Sequence, residues 1–241
     1  MSERFYIDGK ISGTVEMTDA EYNHLVNVMR LKAGDEITLF NGGGQDFRAR
    51  ITKIDKRAAY AEILEMVKNN LEARLELTVF QAVLKPEKFF EVITKASELG
   101  AKEVIPVITA YSQTPAAAFS ADKLKKAAVA AAKQCGRSVL VKTTAPVTFD
   151  EILKTLKNYD LSVVPYENET ERGLKDVLKS ADNIKTVAVI IGAEGGFSPA
   201  EVQAAKAAGA IPVTLGARIM RAETAAAATI AAIMYEQNEW N

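Results

Sequence analysis

The chain has little cysteine, little histidine and no long apolar run. Its 241 residues include one cysteine, Cys135, and one histidine, His24. A single cysteine cannot form an intramolecular disulfide, and these two residues are too few for a dedicated zinc site, so we expect no metal and a reducing cytoplasmic compartment. Because no apolar run approaches the roughly 18 to 20 residues that cross a bilayer, and the N-terminus lacks the apolar core of a secretory signal, we expect no membrane partner.

An excess of charge of one sign is also missing. The formal net charge is -1, which argues against a protein that coats nucleic acid nonspecifically. Hydrophobic residues make up 48% of the chain and charged residues 25%, as in a globular protein that buries a core. Residues 48–57 are a local exception, with five cations and one anion. This basic segment is either a solvated face or a nucleic-acid contact.

The first 68 residues are dominated by short predicted strands. A capping-box pattern from Thr18 to Glu21 predicts one helix start. Strands are predicted at 36–40, 47–54 and 58–66. Several short strands with one helix in so short a segment predict a small β-barrel over residues 1–68.

Beyond a polar connection at 67–74, predicted strands and helices alternate. The strands have no polar alternation, which is typical of a parallel sheet buried on both faces; they are predicted at 75–83, 104–108, 161–164, 186–191 and 211–215. Helices are predicted at 86–100, 120–134 and 222–237, and capping boxes begin at Thr148 and Ser198. Residues 74–241 therefore predict an α/β domain.

Unusual segments mark the ends of three of these strands and the loops that follow them, at 163–167, 191–197 and 215–225. Ligands of open α/β sheets bind outside the carboxyl ends of the strands, so the three loops could form one pocket. The second loop, Ile-Gly-Ala-Glu-Gly-Gly-Phe, lacks the glycine spacing of dinucleotide and phosphate loops, and its Glu194 would repel a pyrophosphate. Its glycines either allow close approach to a ligand or form a strand-to-helix turn with positive φ.

The order and spacing of these loops resemble the RsmE family of ribosomal RNA methyltransferases, members of the SPOUT superfamily. Further matching segments are Arg4–Tyr6, His24-Leu25 with Val28–Arg30, Lys95–Gly100 and Gln134 with Arg137. Two departures are Ala193, where the family usually has proline, and Cys135, where serine is usual. The resemblance implies an α/β fold class: an N-terminal PUA-like β-barrel followed by a SPOUT α/β domain with a C-terminal trefoil knot. It also implies a homodimer that uses S-adenosyl-L-methionine to methylate N3 of a uridine in small-subunit (16S) ribosomal RNA.

If the resemblance holds, the cofactor lies against residues of the three loops. Ile219 and Met220 could instead fill the core. The expected cofactor-binding residues are Pro165, Tyr166, Glu167, Gly192, Gly195, Gly196, Leu215, Gly216, Ile219, Met220, Ala222, Thr224 and Ala225.

Methylation at N3 of uracil requires removal of the N3 proton. Glu194 is the candidate proton acceptor, or else it orients the methionine ammonium of the cofactor. Arg137, Arg218 and Arg221 could stabilise negative charge on the uracil oxygens, or they could form ordinary ion pairs with Glu194 or Glu223. His24 is either a base delivered across an interface, an RNA contact or a structural histidine.

The predicted barrel would contact RNA phosphates, which fix register rather than sequence, through Arg4, His24, Arg30, Arg48 and Arg50. The small net charge suggests a shaped site within the assembled small ribosomal subunit. The alanine-rich helix at 222–237 either forms a dimer or is buried within one subunit. Two other functions remain open: a noncatalytic RNA-binding or ribosome-assembly protein, and a nucleotide-dependent oxidoreductase, which the glycine spacing disfavours.

Overall fold

A computed structural model describes residues 3–181 and 183–240. The chain divides into two compact units. The first takes the chain up to Glu72 together with Ala132–Leu140, and the second takes Ala73–Ala131 and the chain from Val141 onward. The division after Glu72 falls inside the polar connection at 67–74, whereas nothing in the sequence indicated that Ala132–Leu140 belongs to the first unit. No helix of the described residues is long and apolar enough to cross a membrane.

The first unit is built on a five-stranded sheet with the strand order β1-β3-β4-β5-β2, in which β1 and β3 are parallel and the other pairs antiparallel. Its buried core includes Phe5, Leu25, Ile37, Leu39 and Ile51. Its elements are β1 (Arg4–Tyr6), β2 (Thr14–Met17), α1 (Asp19–Asn23) continued by a π-helical turn (His24–Val28), β3 (Glu36–Phe40), β4 (Gln45–Ile54) and β5 (Ala59–Lys68).

The capping box predicted at Thr18 is wrong, although α1 does begin there. The Thr18 hydroxyl donates to the Asp19 carboxylate at 3.1 Å and caps no backbone group of the helix. The Glu21 carboxylate, which should return to Thr18, instead accepts hydrogen bonds of 3.0 and 2.9 Å from Lys133 Nζ. A charge-assisted contact made within the folded unit therefore replaces the local one.

The second unit is a seven-stranded sheet in which every pairing is parallel, as predicted, with β9 pairing with β7 beside the main order β12-β10-β11-β6-β7-β8. Its strands are β6 (Glu76–Ala82), β7 (Glu103–Ile108), β8 (Lys142–Thr143), β9 (Val147–Thr148), β10 (Leu161–Pro165), β11 (Thr186–Ile191) and β12 (Ile211–Val213). Its helices are α2 (Pro86–Glu98), α3 (Ala121–Cys135, whose last turn belongs to the first unit), α4 (Phe149–Leu153), α5 (Leu174–Ser180), α6 (Pro199–Ala207) and α7 (Ala222–Glu236).

The capping boxes predicted at Thr148 and Ser198 are both confirmed. In each, the hydroxyl accepts from the backbone N–H three residues later and the glutamate carboxylate accepts from the N-cap backbone. These boxes start α4 and α6. The box at Ser198 fixes the point at which the loop after β11 becomes a helix.

Candidate active site

One cavity of about 620 Å³ lies at the carboxyl ends of β10, β11 and β12. It is lined by the loops that follow these strands and by the start of α7. The sheet order places the three strands side by side, so their loops emerge at one edge. The three loops that the sequence predicts to form a pocket therefore line a single cavity.

The glycines of the second loop allow a tight turn. Gly196 has φ of 73° and donates its N–H to the Ala193 carbonyl oxygen at 2.9 Å. A Cβ at Gly192 would lie 3.0 Å from the Gly196 carbonyl carbon, and one at Gly196 would lie 2.6 Å from Glu167 Oε1. Positive φ is needed only at Gly196, whereas Gly192 is required by close backbone packing.

The third loop is held at its start and exposed at its centre. Gly216 has φ of 107°, and its N–H donates to Thr214 Oγ1 at 3.1 Å. Ile219 is 88% exposed, so it does not fill the core. An apolar side chain this exposed at the edge of a cavity is available for a ligand.

The cavity is lined by nearly all of the expected cofactor-binding residues. The exception is Thr224, which is exposed on the first turn of α7. The lining residues among them are Pro165, Tyr166, Glu167, Gly192, Gly195, Gly196, Leu215, Gly216, Ile219, Met220, Ala222 and Ala225.

The expected catalytic residues occupy different surroundings. Glu194 and Arg218 are exposed and line the cavity, whereas Arg221 is exposed immediately before α7 and does not line it. Arg137 belongs to the first unit and is 5% exposed. Its Nη2 and Nε donate to Glu72 Oε2 at 2.6 and 3.0 Å, so its guanidinium already holds a carboxylate.

Glu223 forms an ion pair that differs from the expected one. Its carboxylate is nearly buried and lies 3.0 Å from Nζ of Lys88 on α2, while Arg221 acts on it only as a nearby charge. Burial raises the pKa of Glu223, but hydrogen bonds from its own backbone N–H and from Lys88 outweigh burial, and the pKa is lowered overall. The pair holds the first turn of α7, which lines the cavity, against α2.

Three contacts in the second unit were missed by sequence reasoning. The buried Gln81 donates to the Gly192 carbonyl oxygen at 3.2 Å, and its own Oε1 has no partner among the described residues. Glu201 accepts from the Ala110 N–H at 2.8 Å, and the side chain of Tyr111 lies against Gly195. Sequence separations of 111 and 91 residues in the first two contacts left no local signal.

In the first unit, Arg4 is part of a polar cluster. Its Nη1 and Nη2 lie 2.7 and 2.9 Å from the two carboxylate oxygens of Asp46, and Ser138 and Asn69 also donate to that carboxylate. Burial raises the pKa of Asp46, but the hydrogen bonds from Arg4, Ser138 and Asn69 outweigh it, and the pKa is lowered overall. With a side chain only 14% exposed, Arg4 holds β1 to β4.

The other expected RNA contacts are more accessible. Arg48 lies 3.0 Å from Glu65, and Arg50 lies 2.7 Å from Glu36; both arginine side chains are about half exposed. Hydrogen bonding from Arg50 lowers the pKa of Glu36. The remaining two are Arg30, which is exposed with φ of 56°, and His24, which is half-buried edge-on to Phe5 with ring centroids 5.6 Å apart.

Comparison with known proteins identifies the family. A family model described as an RNA methyltransferase domain matches residues 71–234, and one described as an RNA methyltransferase PUA domain matches residues 17–64. The ribosomal RNA small subunit methyltransferase E of Rickettsia conorii is 30% identical over 236 residues, which cover 95% of this chain and 94% of the relative. The chain belongs to the ribosomal RNA small subunit methyltransferase E family.

Solved structures agree with membership of this family. The ribosomal RNA small subunit methyltransferase E of Neisseria gonorrhoeae, bound to S-adenosyl methionine, superimposes with a TM-score of 0.87 at 30% identity, with 98% of each chain covered. A methyltransferase of Legionella pneumophila, solved in complex with its cofactor SAM, gives a TM-score of 0.88 at 28% identity over 98% of each chain. Both alignments span the two units of the chain.

Proposed function

We propose that this chain uses S-adenosylmethionine to methylate N3 of a uridine in small-subunit ribosomal RNA. The observation that carries the proposal is the single cavity formed by three strand-end loops in a chain of this family. Its volume of about 620 Å³ lies within the roughly 300–1,000 Å³ of small-molecule and cofactor sites. The names of the relatives and the SAM bound in the two solved structures support the cofactor and the substrate class.

The charges of the cavity fit S-adenosylmethionine better than a dinucleotide. Among the described residues, its lining includes the carboxylates of Glu167, Glu169 and Glu194 but only one cation, Arg218. S-adenosylmethionine carries a sulfonium and an ammonium against one carboxylate, so acidic walls attract it, whereas they repel a pyrophosphate. Leu215 and Met220 offer apolar surface for an adenine ring.

When bound, the cofactor supplies a methyl group activated on a sulfonium. As the bond between the methyl carbon and N3 forms and the carbon–sulfur bond breaks, the N3 proton must pass to a base. Glu194, exposed at the edge of the cavity, is the candidate acceptor; its other possible role is to hold the methionine ammonium. Arg218 and Arg221 would balance negative charge on the uracil oxygens, whereas Arg137 would first have to release Glu72.

We assign RNA binding to the first unit. The match of a PUA domain model to residues 17–64 supports this role and a barrel-like closure of the sheet. Arg30 is exposed. Arg48 would exchange its ion pair with Glu65 for a phosphate, and Arg50 would do the same with Glu36. Arg4 would have to release Asp46 before it could bind RNA. RNA binding should then weaken steeply as salt rises, because phosphate contacts release counterions. Affinity that is independent of salt between 50 and 200 mM would contradict phosphate contacts.

The homodimer is proposed from the free face of α7. One face of this helix, including Ile230, Ile233 and Met234, is buried within the chain, and α7 packs on α2. The opposite face carries Ala228 and Ala232, whose small side chains permit close approach of a second helix. Sedimentation at micromolar concentration should give twice 26.1 kDa. A species of 26.1 kDa alone would reject the dimer.

The trefoil knot is proposed from the path of the chain around Val213 and Thr214. On one side, β12 pairs with β10, and Tyr166 N–H donates to the Val213 carbonyl oxygen. On the other side, Thr214 bonds with the backbone of Arg172 and Leu174. The loop after β10 thus flanks this segment on both sides, the arrangement expected if the chain threads it. Pulling the denatured chain by its ends should give less than the full length of about 3.3–3.6 Å per residue, whereas full extension would reject the knot.

The function is tested by mapping modified nucleotides. Small subunits from a strain without this protein should lack one methyluridine, and purified protein with S-adenosylmethionine should restore it. Complete methylation in the deleted strain, or binding to the subunits without methyl transfer, would contradict the proposal. The second of these outcomes would indicate a noncatalytic RNA-binding protein.

A further inference from the structure

Tyr111 is an aromatic residue beside the glycine loop of the cavity, and the proposed reaction gives it no role so far. It follows β7, and its side chain is 47% exposed. A Cβ built on Gly195 would lie 3.4 Å from Tyr111 Cβ and 3.6 Å from two of its ring carbons. Gly195 lines the cavity, and Tyr111, which is not among the lining residues, packs against it.

The backbone that carries Tyr111 is held in place by hydrogen bonds. Thr109 and Ser112 close a turn, because Ser112 N–H donates to the Thr109 carbonyl oxygen at 3.1 Å and Thr109 N–H donates to Ser112 Oγ at 3.0 Å. Ala110 N–H donates to Glu201 Oε1 at 2.8 Å. The other oxygen of Glu201 caps α6, which begins directly after the glycine loop. The turn and the glycine loop are therefore fixed to one helix start, and the ring needs little ordering before it binds a ligand.

Burial in the core does not account for this ring, because Tyr111 is 47% exposed. Tyr111 is outside the buried core of the second unit, whose aromatic members Phe80, Phe149 and Phe197 are each less than 10% exposed. A half-exposed aromatic surface beside a ligand cavity is suited to stacking, since every nucleobase has a π-face.

We propose that Tyr111 is the platform on which the target base stacks while it is methylated. This inference rests on the proposed function of the same cavity. A base presented for chemistry must leave its own stack, which costs free energy, and an aromatic surface offsets that cost while fixing the plane of the base. Glu194 directly precedes Gly195, so Tyr111 packs against the same loop that carries the candidate proton acceptor.

The test compares four substitutions at one position, with small subunits that lack the methyl group as the substrate. Tyr111→Ala and Tyr111→Leu remove the π-face, and the leucine keeps apolar bulk against Gly195. Tyr111→Phe and Tyr111→Trp keep the π-face and serve as matched controls. Alanine and leucine should lower kcat/KM for the RNA by about 5- to 150-fold, while phenylalanine and tryptophan stay within about threefold of wild type. Calorimetry should give the same affinity for adenosylhomocysteine in all five proteins.

A second readout reports stacking directly. The chain has one tryptophan, Trp240, so the Tyr111→Trp, Trp240→Phe double variant carries its only indole at the proposed platform. Its fluorescence should be quenched by a short uridine-containing RNA in the presence of adenosylhomocysteine. The same RNA lacking the uracil base should quench it less.

The two possible failures are distinguishable. If wild-type protein methylates the RNA but leucine is as active as phenylalanine at position 111, the platform is wrong and the function stands. The platform is also wrong if the Tyr111 variants lose affinity for adenosylhomocysteine, because the ring then serves the cofactor. If wild-type protein transfers no methyl group, the proposed function itself has failed.

Discussion

At the residue scale, the pocket combines positions without side chains and a few exposed charged groups. Gly192 and Gly196 let the loop after β11 fold tightly against itself and against Glu167. Glu194 projects from this loop without belonging to the core. Packing therefore does not explain its carboxylate, which makes it the residue whose chemistry is most informative to change.

Replacing Glu194 with glutamine separates its two candidate roles. If the carboxylate accepts the N3 proton, Glu194→Gln should lower kcat by about 10²- to 10⁴-fold, because the amide cannot act as a base, and adenosylhomocysteine should still bind. If the carboxylate holds the methionine ammonium, cofactor affinity should fall instead. Single-turnover methylation and calorimetry on the same preparation measure both. Turnover near that of wild type with normal cofactor affinity would remove Glu194 from the mechanism.

At the element scale, the sequence predicted those features that depend on near neighbours. The parallel strands of the second unit, the bounds of β3 and β11, and the helix starts at Thr148 and Ser198 followed from local pattern. The capping box at Thr18 failed because Lys133, distant in sequence, binds Glu21. The three site loops were likewise found from their own residues.

Tyr111 and Gln81 were missed because their contacts at the site join residues that are distant in sequence. Their side chains reach the site only once β6, β7 and β11 have assembled into one sheet. The ion pair between Lys88 and Glu223 depends in the same way on the packing of α2 against α7. Neither Tyr111 nor Gln81 stands in a local motif, so no pattern in the sequence marked either residue.

The two confirmed capping boxes differ in one contact, and this difference gives a matched pair of variants. Glu151 caps only its own helix, whereas Glu201 also accepts from Ala110 N–H. Each glutamate-to-alanine change should destabilise the protein to a similar extent, because each removes one half of a capping box. Glu201→Ala should also release the Tyr111 turn and raise KM for RNA, which Glu151→Ala should not. Equal KM values for RNA in the two variants would contradict a role for Glu201 in holding that turn.

The contact between β1 and β4 predicts a pH dependence of stability. The pKa of Asp46 is lowered in the folded state, so its contribution to stability is complete above the ordinary value of 3.8 and is lost as the pH falls through the lower folded pKa. Asp46→Asn should therefore flatten the acid side of the stability curve measured by urea unfolding. An unchanged slope between pH 5 and pH 2 would show that this carboxylate is not a major contributor.

At the scale of the whole molecule, the two units suit different parts of the proposed function. The first suits RNA binding, and the second suits cofactor binding. The first unit is a mainly antiparallel sheet with exposed arginines, and the second is a parallel sheet with a cavity at the carboxyl ends of its strands. Composition alone indicated neither the exposed arginines nor the cavity, because a net charge of only -1 marks no basic surface. The strand-rich first part and the α/β second part of the chain followed from periodicity. Assigning the cavity to a methyl donor needed the family resemblance, because the glycine spacing alone only excluded dinucleotide loops.

The central claim is that three strand-end loops enclose S-adenosylmethionine. Calorimetry with adenosylhomocysteine tests it most directly, on wild-type protein and on Gly196→Ala and Gly209→Ala. Both glycines have positive φ, so each alanine should cost about 1–2 kcal/mol in stability, but only at Gly196 would the added Cβ meet a residue that lines the cavity. We predict binding to wild-type protein, affinity within about threefold for Gly209→Ala, and at least about tenfold weaker affinity for Gly196→Ala. No binding of adenosylhomocysteine to wild-type protein would contradict the account.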